Sequence, residues 1–336
     1  MSERERSIKI GVEPGDALAY ECDVLALKYA QDLHGVDRIV VKHLSIASVD
    51  LESGLPAVSG FLLVPTTGKL GAKAVLFVGV KPLGQFAYKE IRQFARDVLV
   101  HLAHEAPHTR HLCLTVHGPN FGLDESEAFD SEIAGLSDAV SSDDIPDALE
   151  RITIIEHEPE RAKRLSSQLA SLMPGLIIEP DPRRRRAVQG QETAQRLQSV
   201  GYDSENKPRV FVAMPFAAEM DDTFHYGIEL PVKEAGFLCE RADLSSFTGD
   251  VMEWVKKRIA GSRLVIADLT GANPNVYLEV GYAWGCNKPT ILLARDTEQL
   301  KFDTQGQRCL VYKSSIRTLE EVLRNTLDAL RADLLL

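Results

Sequence analysis

Two carboxylic acids, Asp268 and Glu279, are the residues of this sequence that are best placed to do chemistry. Leu264–Ala267, directly before Asp268, is a short apolar run with β-branched residues, which predicts a strand. The turn-forming sequence Thr-Gly-Ala-Asn-Pro and an amphipathic pattern follow, so we expect a loop and then a helix that carries Glu279 in its first turns. Since ligand crevices in open α/β sheets form at the carboxyl ends of strands, Asp268 is predicted to point into one. With Asn273 and Asn275 beside them, the two carboxylates suit chemistry on a polar ligand better than packing.

Each of these residues also has a purely structural interpretation. Asp268 is a candidate cap for the following helix, because Asp often fills that position. Glu279 has the alternative of a solvent-facing position on the helix. Asn273 and Asn275 flank a proline and are at least as well explained by turn formation. We rank a functional role first for the two carboxylates only.

The length and composition indicate a globular protein with more than one domain. The chain has 336 residues, which is long for a single hydrophobic core and predicts two domains. No apolar run approaches the roughly 20 residues that span a bilayer. The charged start Met1–Arg6 has no apolar region of a secretory signal behind it. We therefore expect a cytoplasmic location and no membrane partner.

Charge and metal-binding residues exclude several classes of function. A net charge of −11 disfavours nucleic acid as a partner, since phosphate backbones require a basic surface. The basic run Arg183–Arg186 is interpreted as a solvated linker. Five scattered cysteines argue against a disulfide framework or a zinc site. The histidines between His101 and His111 lack the carboxylate or cysteine ligands of a zinc site, so no metal is expected.

The first half of the chain alternates short apolar strands with helical patterns, which predicts a mixed α/β layer domain. Tyr88–His104 has apolar residues at helical spacing, and residues 158–173 are also expected to be helical. The acidic, serine-rich residues 137–150 are predicted to form a surface loop and a short helix. The predicted strands, most of them buried, begin near Ile8 and include Asp23–Leu27, Gly60–Val64, Ala74–Gly79, His111–Val116 and Arg151–Glu156.

The second half, from Lys207, alternates strands and helices strictly, which implies a parallel sheet covered on both faces in a flavodoxin-like arrangement. We thus expect an amino-terminal domain over 1–180, a linker over 181–206 with a connecting helix near 189–200, and a carboxyl-terminal domain over 207–336. Its predicted strands are Val210–Ala213, a short one after Gly236, Leu264–Ala267, Pro289–Ala294 and Cys309–Tyr312.

The amino-terminal half resembles the macro-like, non-catalytic domain of the leucyl aminopeptidases. The resemblance rests on the order Gly-Phe-Leu-Leu-Val-Pro from Gly60, Lys-Ala-Val-Leu-Phe-Val-Gly-Val from Lys73 and Glu-Ile-Arg-Gln-Phe-Ala-Arg from Glu90. The zinc-binding motif of the peptidase half has no counterpart after residue 180, which disfavours a peptidase. The resemblance implies either a site for an ADP-ribose-like nucleotide or a scaffold and oligomerisation domain, and we favour the scaffold slightly.

The carboxyl-terminal half resembles the nucleoside 2-deoxyribosyltransferase-like family. Four motifs occur in the family's order: Val-Phe-Val-Ala-Met-Pro-Phe from Val210, Glu-Arg-Ala-Asp from Glu240, Ile-Ala-Asp-Leu-Thr-Gly from Ile266 and Asn-Pro-Asn-Val-Tyr-Leu-Glu-Val-Gly-Tyr-Ala from Asn273. The fold and the glutamate are also similar to those of TIR domains that cleave NAD. The resemblance implies cleavage of the bond between a base and C1′ of a sugar.

The same resemblance assigns roles to individual residues. Glu279 corresponds to the family's nucleophile, which traps or stabilises the oxocarbenium-like centre. Asp268 would bind ribose hydroxyls or protonate the departing base, for which it needs a raised pKa. Gly281, with Ala283, would let the helix pack closely on the sheet. The residues expected to contact the substrate are Met214, Pro215 and Phe216 as a wall, Arg241 and Asp243 at the rim, and Asn273, Asn275 and Tyr277.

Structural alternatives exist here too: Arg241 and Asp243 have the alternative of pairing only with each other, and Met214 and Phe216 that of belonging to the core. The extra domain and the acidic insertion Ala217–Thr223, which would repel a phosphate unless Arg241 or Lys288 offsets it, disfavour base exchange between free nucleosides. We predict an N-glycosidase acting on a nucleoside, nucleotide or NAD-like molecule, without metal or redox cofactor and as a homo-oligomer. The alternative is a non-catalytic nucleotide-sensing protein of a bacterial defence or stress system.

Overall fold

The computed structural model of the protein describes residues 7–45, 54–119, 121–179, 189–241, 250–296 and 309–335. The chain divides into two compact units. Unit 1 consists of Met1–Gly118 and Ser126–Glu205, and unit 2 consists of Pro119–Glu125 and Asn206–Leu336. Each unit contains its own sheet with helices, which confirms the prediction of an α/β protein.

Unit 1 is built on a mixed seven-stranded sheet within the described residues, in the order β3-β4-β2-β5-β6-β1-β7. The five inner strands are parallel, whereas β3 and β7 pair antiparallel at the two edges. Inner strands are apolar on both faces because helices cover them, as parallel sheets require. The strands are β1 (Ile8–Pro14), β2 (Cys22–Tyr29), β3 (Phe61–Pro65), β4 (Ala72–Gly79), β5 (His111–Thr115), β6 (Arg151–Glu156) and β7 (Ile177–Ile178).

Five α-helices belong to the described part of this region. Helix α2 buries Ile91, Phe94, Val98 and Leu102 on one face, as its helical spacing predicts. The helices are α1 (Val36–Leu44), α2 (Tyr88–Glu105), α3 (Glu125–Ser141), α4 (Pro159–Leu172) and α5 (Gln191–Ser199).

The prediction of a surface loop and a short helix over residues 137–150 is wrong at its start, where the chain is helical but buried. Helix α3 continues to Ser141, and Ser137, Ala139 and Val140 are buried. Gly135 lets this helix approach α2 closely, since a Cβ there would lie 2.1 Å from the Arg92 carbonyl oxygen. The acidic and serine-rich composition suggested an exposed segment, whereas this helix is buried on almost every side.

Unit 2 contains five parallel strands in the order β12-β11-β10-β8-β9. The predicted parallel sheet is thereby confirmed for the described residues. Its strands are β8 (Arg209–Ala213), β9 (Leu238–Arg241), β10 (Leu264–Asp268), β11 (Thr290–Ala294) and β12 (Cys309–Val311). Its helices are α6 (Leu230–Glu234), α7 (Asp250–Gly261), α8 (Pro274–Gly285) and α9 (Ile316–Leu335), with a π-helical segment over Thr223–Glu229 before α6.

The two faces of this sheet carry different helices. One face forms the α9-side core, a cluster in which Ile266 of β10 packs with Ile228 of the π-helical segment and with α9 residues such as Leu323. The other face is covered by α7 and α8, which pack on β8, β10 and β11. The apolar side chains therefore lie on both faces of every inner strand, as a doubly covered parallel sheet requires.

Residues 119–125 belong to unit 2 through a polar contact. The Asp124 carboxylate accepts a 2.8 Å hydrogen bond from the backbone amide of Cys239 in β9 and lies 3.7 Å from the Lys233 ammonium. Lys233 also pairs with Glu229, whose pKa is lowered to about 2 because His225 and Lys233 offset the cost of its burial. This network fixes the π-helical segment against β9.

Among the described helices, none is both long and apolar enough to cross a membrane.

Candidate functional site at the carboxyl edge of the five-stranded sheet

At the carboxyl ends of the neighbouring strands β8 and β10 in unit 2, the chain continues to opposite faces of the sheet. These strands are neighbours, and the segments that follow them lie on opposite faces: the π-helical segment on the α9-side core and α8 on the other face. Such a divergence opens a crevice beyond the strand ends, where ligands of open α/β sheets bind. The crevice is therefore the candidate site of this unit.

Asp268 ends β10 and is completely buried. Its Oδ1 accepts a 2.9 Å hydrogen bond from the Thr270 amide, and its Oδ2 accepts a 2.9 Å hydrogen bond from the Tyr312 hydroxyl. Both carboxylate oxygens therefore already have a donor within the protein. These bonds hold the loop after β10 and connect it to the end of β12. The interpretation of Asp268 as a helix cap predicted this role only in part.

Tyr312 was missed at the sequence level although its position carries a signal. It directly follows β12, so it belongs to the same carboxyl edge as Asp268. Burial and the Asp268 charge raise the pKa of the Tyr312 hydroxyl to about 12. The hydroxyl thus stays protonated and acts as a donor to Asp268 over the whole neutral range.

Arg295 was also missed, and it follows β11 in the same way. Its backbone amide donates to Thr270 Oγ1 at 3.1 Å, and its guanidinium reaches Met220 Sδ at 3.5 Å. The Arg295 charge lowers the pKa of Tyr312 against the stronger effects that raise it, so the guanidinium lies near the Tyr312 hydroxyl. Asp268, Thr270, Arg295 and Tyr312 form one polar cluster, called the edge cluster below.

Arg241 is buried and held between aromatic rings. Its guanidinium carbon lies 3.7 Å from the centroid of the Phe216 ring and 4.6 Å from that of the Phe224 ring, and its charge pairs with Asp221 at 3.7 Å. Stacking and pairing together fix the side chain. Asp243, the predicted partner of Arg241, lies outside the described residues.

The predicted wall after β8 is only partly exposed. Met214 is buried in the α9-side core, Pro215 is half-buried, and Phe216 is 39% exposed. Phe216 thus has one ring face on Arg241 and an accessible remainder. Of the three residues, Phe216 and Pro215 are able to touch a ligand without rearrangement of the core.

Helix α8 begins with a capping arrangement. The Asn273 side chain is the N-cap and accepts a 2.9 Å hydrogen bond from the Asn275 amide, and Pro274 fills the first helical position. Asn275 is exposed and Tyr277 is half-buried. Asn273 therefore has the structural role that the turn interpretation predicted, and its side-chain oxygen is already used.

Glu279 is the unusual residue of α8. It is 5% exposed and lies on the buried stripe of the helix with Val276, Val280 and Ala283. No hydrogen bond or ion pair of its carboxylate occurs within the part of the chain that the structure describes. Burial alone raises its pKa to about 8. A largely buried carboxyl group without a hydrogen-bonding or ionic partner is costly, and a strongly raised pKa is common in functional sites.

The two predicted catalytic carboxylates do not contact each other. Asp268 lies two residues after Ile266 and so points to the α9-side core, where Tyr312 binds it. Glu279 belongs to the helix on the opposite face, and Asp268 is not a cause of its raised pKa. Asp268 and Glu279 thus belong to opposite faces of the sheet.

The predicted role of Gly281 is wrong. Gly281 is exposed, and no atom lies within 4 Å of the position that a Cβ would occupy, so it does not allow a close helix–sheet contact. Ala283, which is fully buried, faces the sheet instead. The error arose because small residues on both faces of a helix look alike in the sequence.

The cationic side chains near the candidate site are not the ones that the sequence analysis expected to offset a phosphate. Lys288 donates to the Ser262 carbonyl at 3.0 Å, which lies before β10 at the amino edge of the sheet. Lys288 is therefore not at the candidate site. Arg241 offsets the nearby Asp221, and Arg295 supplies the cationic group that the sequence analysis overlooked.

Unit 1 has a separate surface pocket of about 530 Å³ at the carboxyl end of β4. Val80 and Phe94 provide apolar walls, and Lys81, bound to Glu90 at 2.8 Å, and Lys89 provide charge. The described residues hold no group of three or more His, Cys, Asp or Glu side chains suited to a metal ion.

No protein-family model matches the sequence, and no curated protein matches it.

Proposed function

We propose that unit 2 cleaves the N-glycosidic bond of a nucleoside, nucleotide or NAD-like molecule, with Glu279 as the reacting carboxylate. The observation that carries the proposal is the buried Glu279 carboxylate, which has no partner among the described residues, on the helix that leaves the crevice. A negative charge without a protein counter-ion gains most from a cation that forms next to it. The oxocarbenium-like centre at C1′ is such a cation.

In the proposed step the bond between C1′ and the base nitrogen breaks, and its electron pair leaves with the base, which takes up a proton from solvent. A Glu279 oxygen forms a bond to C1′, and water later displaces it to release the sugar. The pKa of about 8 means that only a minor fraction of Glu279 is ionised at pH 7 in the free protein. Positive charge developing on the sugar favours the ionised form, so the stabilisation is greatest in the transition state.

For Asp268 we propose a positioning role. The side chain is completely buried, and each oxygen accepts a hydrogen bond from within the protein, from Thr270 and from Tyr312, which favours a structural role over direct contact with ribose or base. These bonds support the loop from which α8 starts. Asp268 thus helps to position Glu279 through the stretch of backbone that connects the two residues.

The strand order supports the proposed resemblance. Read from the other edge, the sheet has the order 2-1-3-4-5, which is the flavodoxin-like order, with its switch point between the first and third strands. Asp268 and the segment Met214–Phe216 follow those two strands. This arrangement agrees with a nucleoside 2-deoxyribosyltransferase-like or TIR-like domain, and the mixed sheet of unit 1 agrees with a macro-like scaffold.

The test is release of free base by the full-length protein. The wild type, Glu279→Gln and the control Glu321→Gln, a surface residue of α9 paired with Arg317, are incubated with nucleosides, nucleoside monophosphates and NAD, and the products are separated by chromatography. We expect base release by the wild type and the control and a loss of at least a hundredfold in Glu279→Gln. Equal release by Glu279→Gln would contradict the assignment.

A nucleotide sensor is the second candidate, and the raised pKa of Glu279 favours it, since a neutral carboxyl group binds without reacting. Binding of an unaltered nucleotide without base release would support this candidate.

A further inference from the structure

We propose that Arg295 binds an anionic phosphoryl group, so that the ligand of unit 2 is a nucleotide rather than a free nucleoside. The inference rests on the proposed function for the location of the site and adds the substrate class. It starts from a residue that neither the motifs nor the catalytic proposal uses.

The Arg295 guanidinium is largely without acceptors. Its side chain is half-buried, and its only hydrogen-bond acceptor within the described part of the chain is the Met220 sulfur at 3.5 Å, a weak acceptor. Its Nε atom is shielded from solvent and has no acceptor among the described residues. No carboxylate of those residues lies within 4 Å of this guanidinium. A guanidinium carries five donors, and leaving buried donors unused is costly.

The position of Arg295 connects it to the crevice. Its backbone bonds Thr270 after β10, and its guanidinium reaches Met220 in the segment after β8. The side chain therefore extends from the end of β11 across the end of β10 towards β8. A ligand in the crevice between β8 and β10 meets this guanidinium on the α9-side.

Among the described residues, the other two cations that the sequence analysis proposed for a phosphate are not available to it. Arg241 is fixed by two aromatic rings and by Asp221, and Lys288 lies at the opposite edge of the sheet. Arg295 is the remaining described cation of the edge cluster. The planar guanidinium matches two oxygens of a phosphoryl group and forms stronger bonds with it than with a neutral sugar hydroxyl.

The structural alternative is that Arg295 only balances the buried Asp268 charge across Tyr312. That role predicts a stability loss on substitution, without any change in the preference between phosphorylated and unphosphorylated ligands. The two roles therefore separate in a binding measurement.

The experiment compares nucleoside 5′-monophosphates with the matching nucleosides by calorimetric titration of the full-length protein. We expect the wild type to bind a monophosphate at least tenfold more tightly than its nucleoside. Arg295→Gln should reduce this preference roughly tenfold or more and leave nucleoside affinity unchanged. The control is Arg263→Gln, the same change at an exposed position just before β10 at the amino edge of the sheet, which should keep the preference.

Arg295→Lys keeps the positive charge but loses the planar guanidinium, so it should retain part of the preference for monophosphates. This variant also tests the proposal if Arg295→Gln does not fold. The proposal is overturned if the wild type shows no preference or binds no monophosphate, or if a folded Arg295 variant keeps the full preference. Preference for monophosphates without base release would overturn the glycosidase proposal instead and leave the Arg295 assignment intact.

Discussion

At the residue scale, the buried carboxylates Asp268 and Glu279 differ in whether hydrogen bonds compensate the cost of their burial. Asp268 is stabilised by two hydrogen bonds, whereas Glu279 has burial as the cause of its raised pKa and no donor within the described residues. A group that costs stability persists where function requires it. We therefore regard Glu279 as the residue on which the proposed chemistry depends.

The raised pKa of Glu279 predicts a particular dependence of stability on pH. The ordinary value of about 4.5 applies to the unfolded chain, and the folded value is about 8, so between these values the folded state binds more protons than the unfolded state. The free energy of unfolding must then decrease as the pH rises from about 4.5 to about 8 and level off above. Glu279→Gln removes this loss, so the free energy of unfolding of the variant should exceed that of the wild type by an amount on the order of 4 kcal/mol at pH 8 and by little at pH 4.5.

Urea unfolding curves at several pH values measure this difference. Glu321→Gln serves as the control, because its exposed ion pair with Arg317 within α9 contributes little. Parallel curves for wild type and Glu279→Gln across this pH range would show that the carboxyl group is solvated or paired in the folded protein.

At the element scale, Arg92 of α2 is the residue that fixes α5 in unit 1. Its guanidinium donates to both Asp138 oxygens, at 2.7 and 2.9 Å, and to the backbone carbonyls of Leu197 and Gln198 near the end of α5. The same guanidinium covers the Tyr202 ring at 4.3 Å. One side chain thus satisfies the carboxyl end of a helix that the sequence placed only in a linker.

Replacing Arg92 should therefore destabilise unit 1 strongly. Arg92→Met preserves much of the apolar volume but leaves Asp138 and the carbonyls of α5 without their donor, and we expect a loss of about 3 kcal/mol in the free energy of unfolding. Arg96→Met, one turn further on α2, loses only a 3.8 Å ion pair with Asp144 between exposed side chains and should cost less than about 1 kcal/mol. Chemical denaturation of both variants measures this contrast; equal losses would rule out the anchoring role.

At the scale of the whole molecule, the two-unit layout agrees with a catalytic or sensing unit joined to a scaffold, and the predicted homo-oligomer stays a prediction. Light scattering of the purified protein should give a mass that is a multiple of the 37.1 kDa chain. A mass of one chain across the working concentration range would contradict the prediction and would require each chain to complete its own site.

The sequence by itself determined the α/β class, the parallel strands of unit 2 and most of the bounds, since hydrophobic periodicity reports local structure directly. Strand β6, Arg151–Glu156, agrees with its predicted range at both ends. The sequence also singled out Glu279 through a motif. It did not reveal helix α3, because acidic and serine residues of this helix are buried with the apolar ones, so the sequence shows no apolar face of the kind that marks a surface helix.

Only the tertiary structure decided which groups meet. Tyr312 binds Asp268 across 44 residues of sequence, and Arg295 meets Thr270 across 25. Gly281 is exposed, and Asp268 and Glu279 lie on opposite faces of the sheet, because of the way α8 and α9 pack on it. Local sequence patterns fix the period of an element, whereas the partner of each face is chosen by packing between distant parts of the chain.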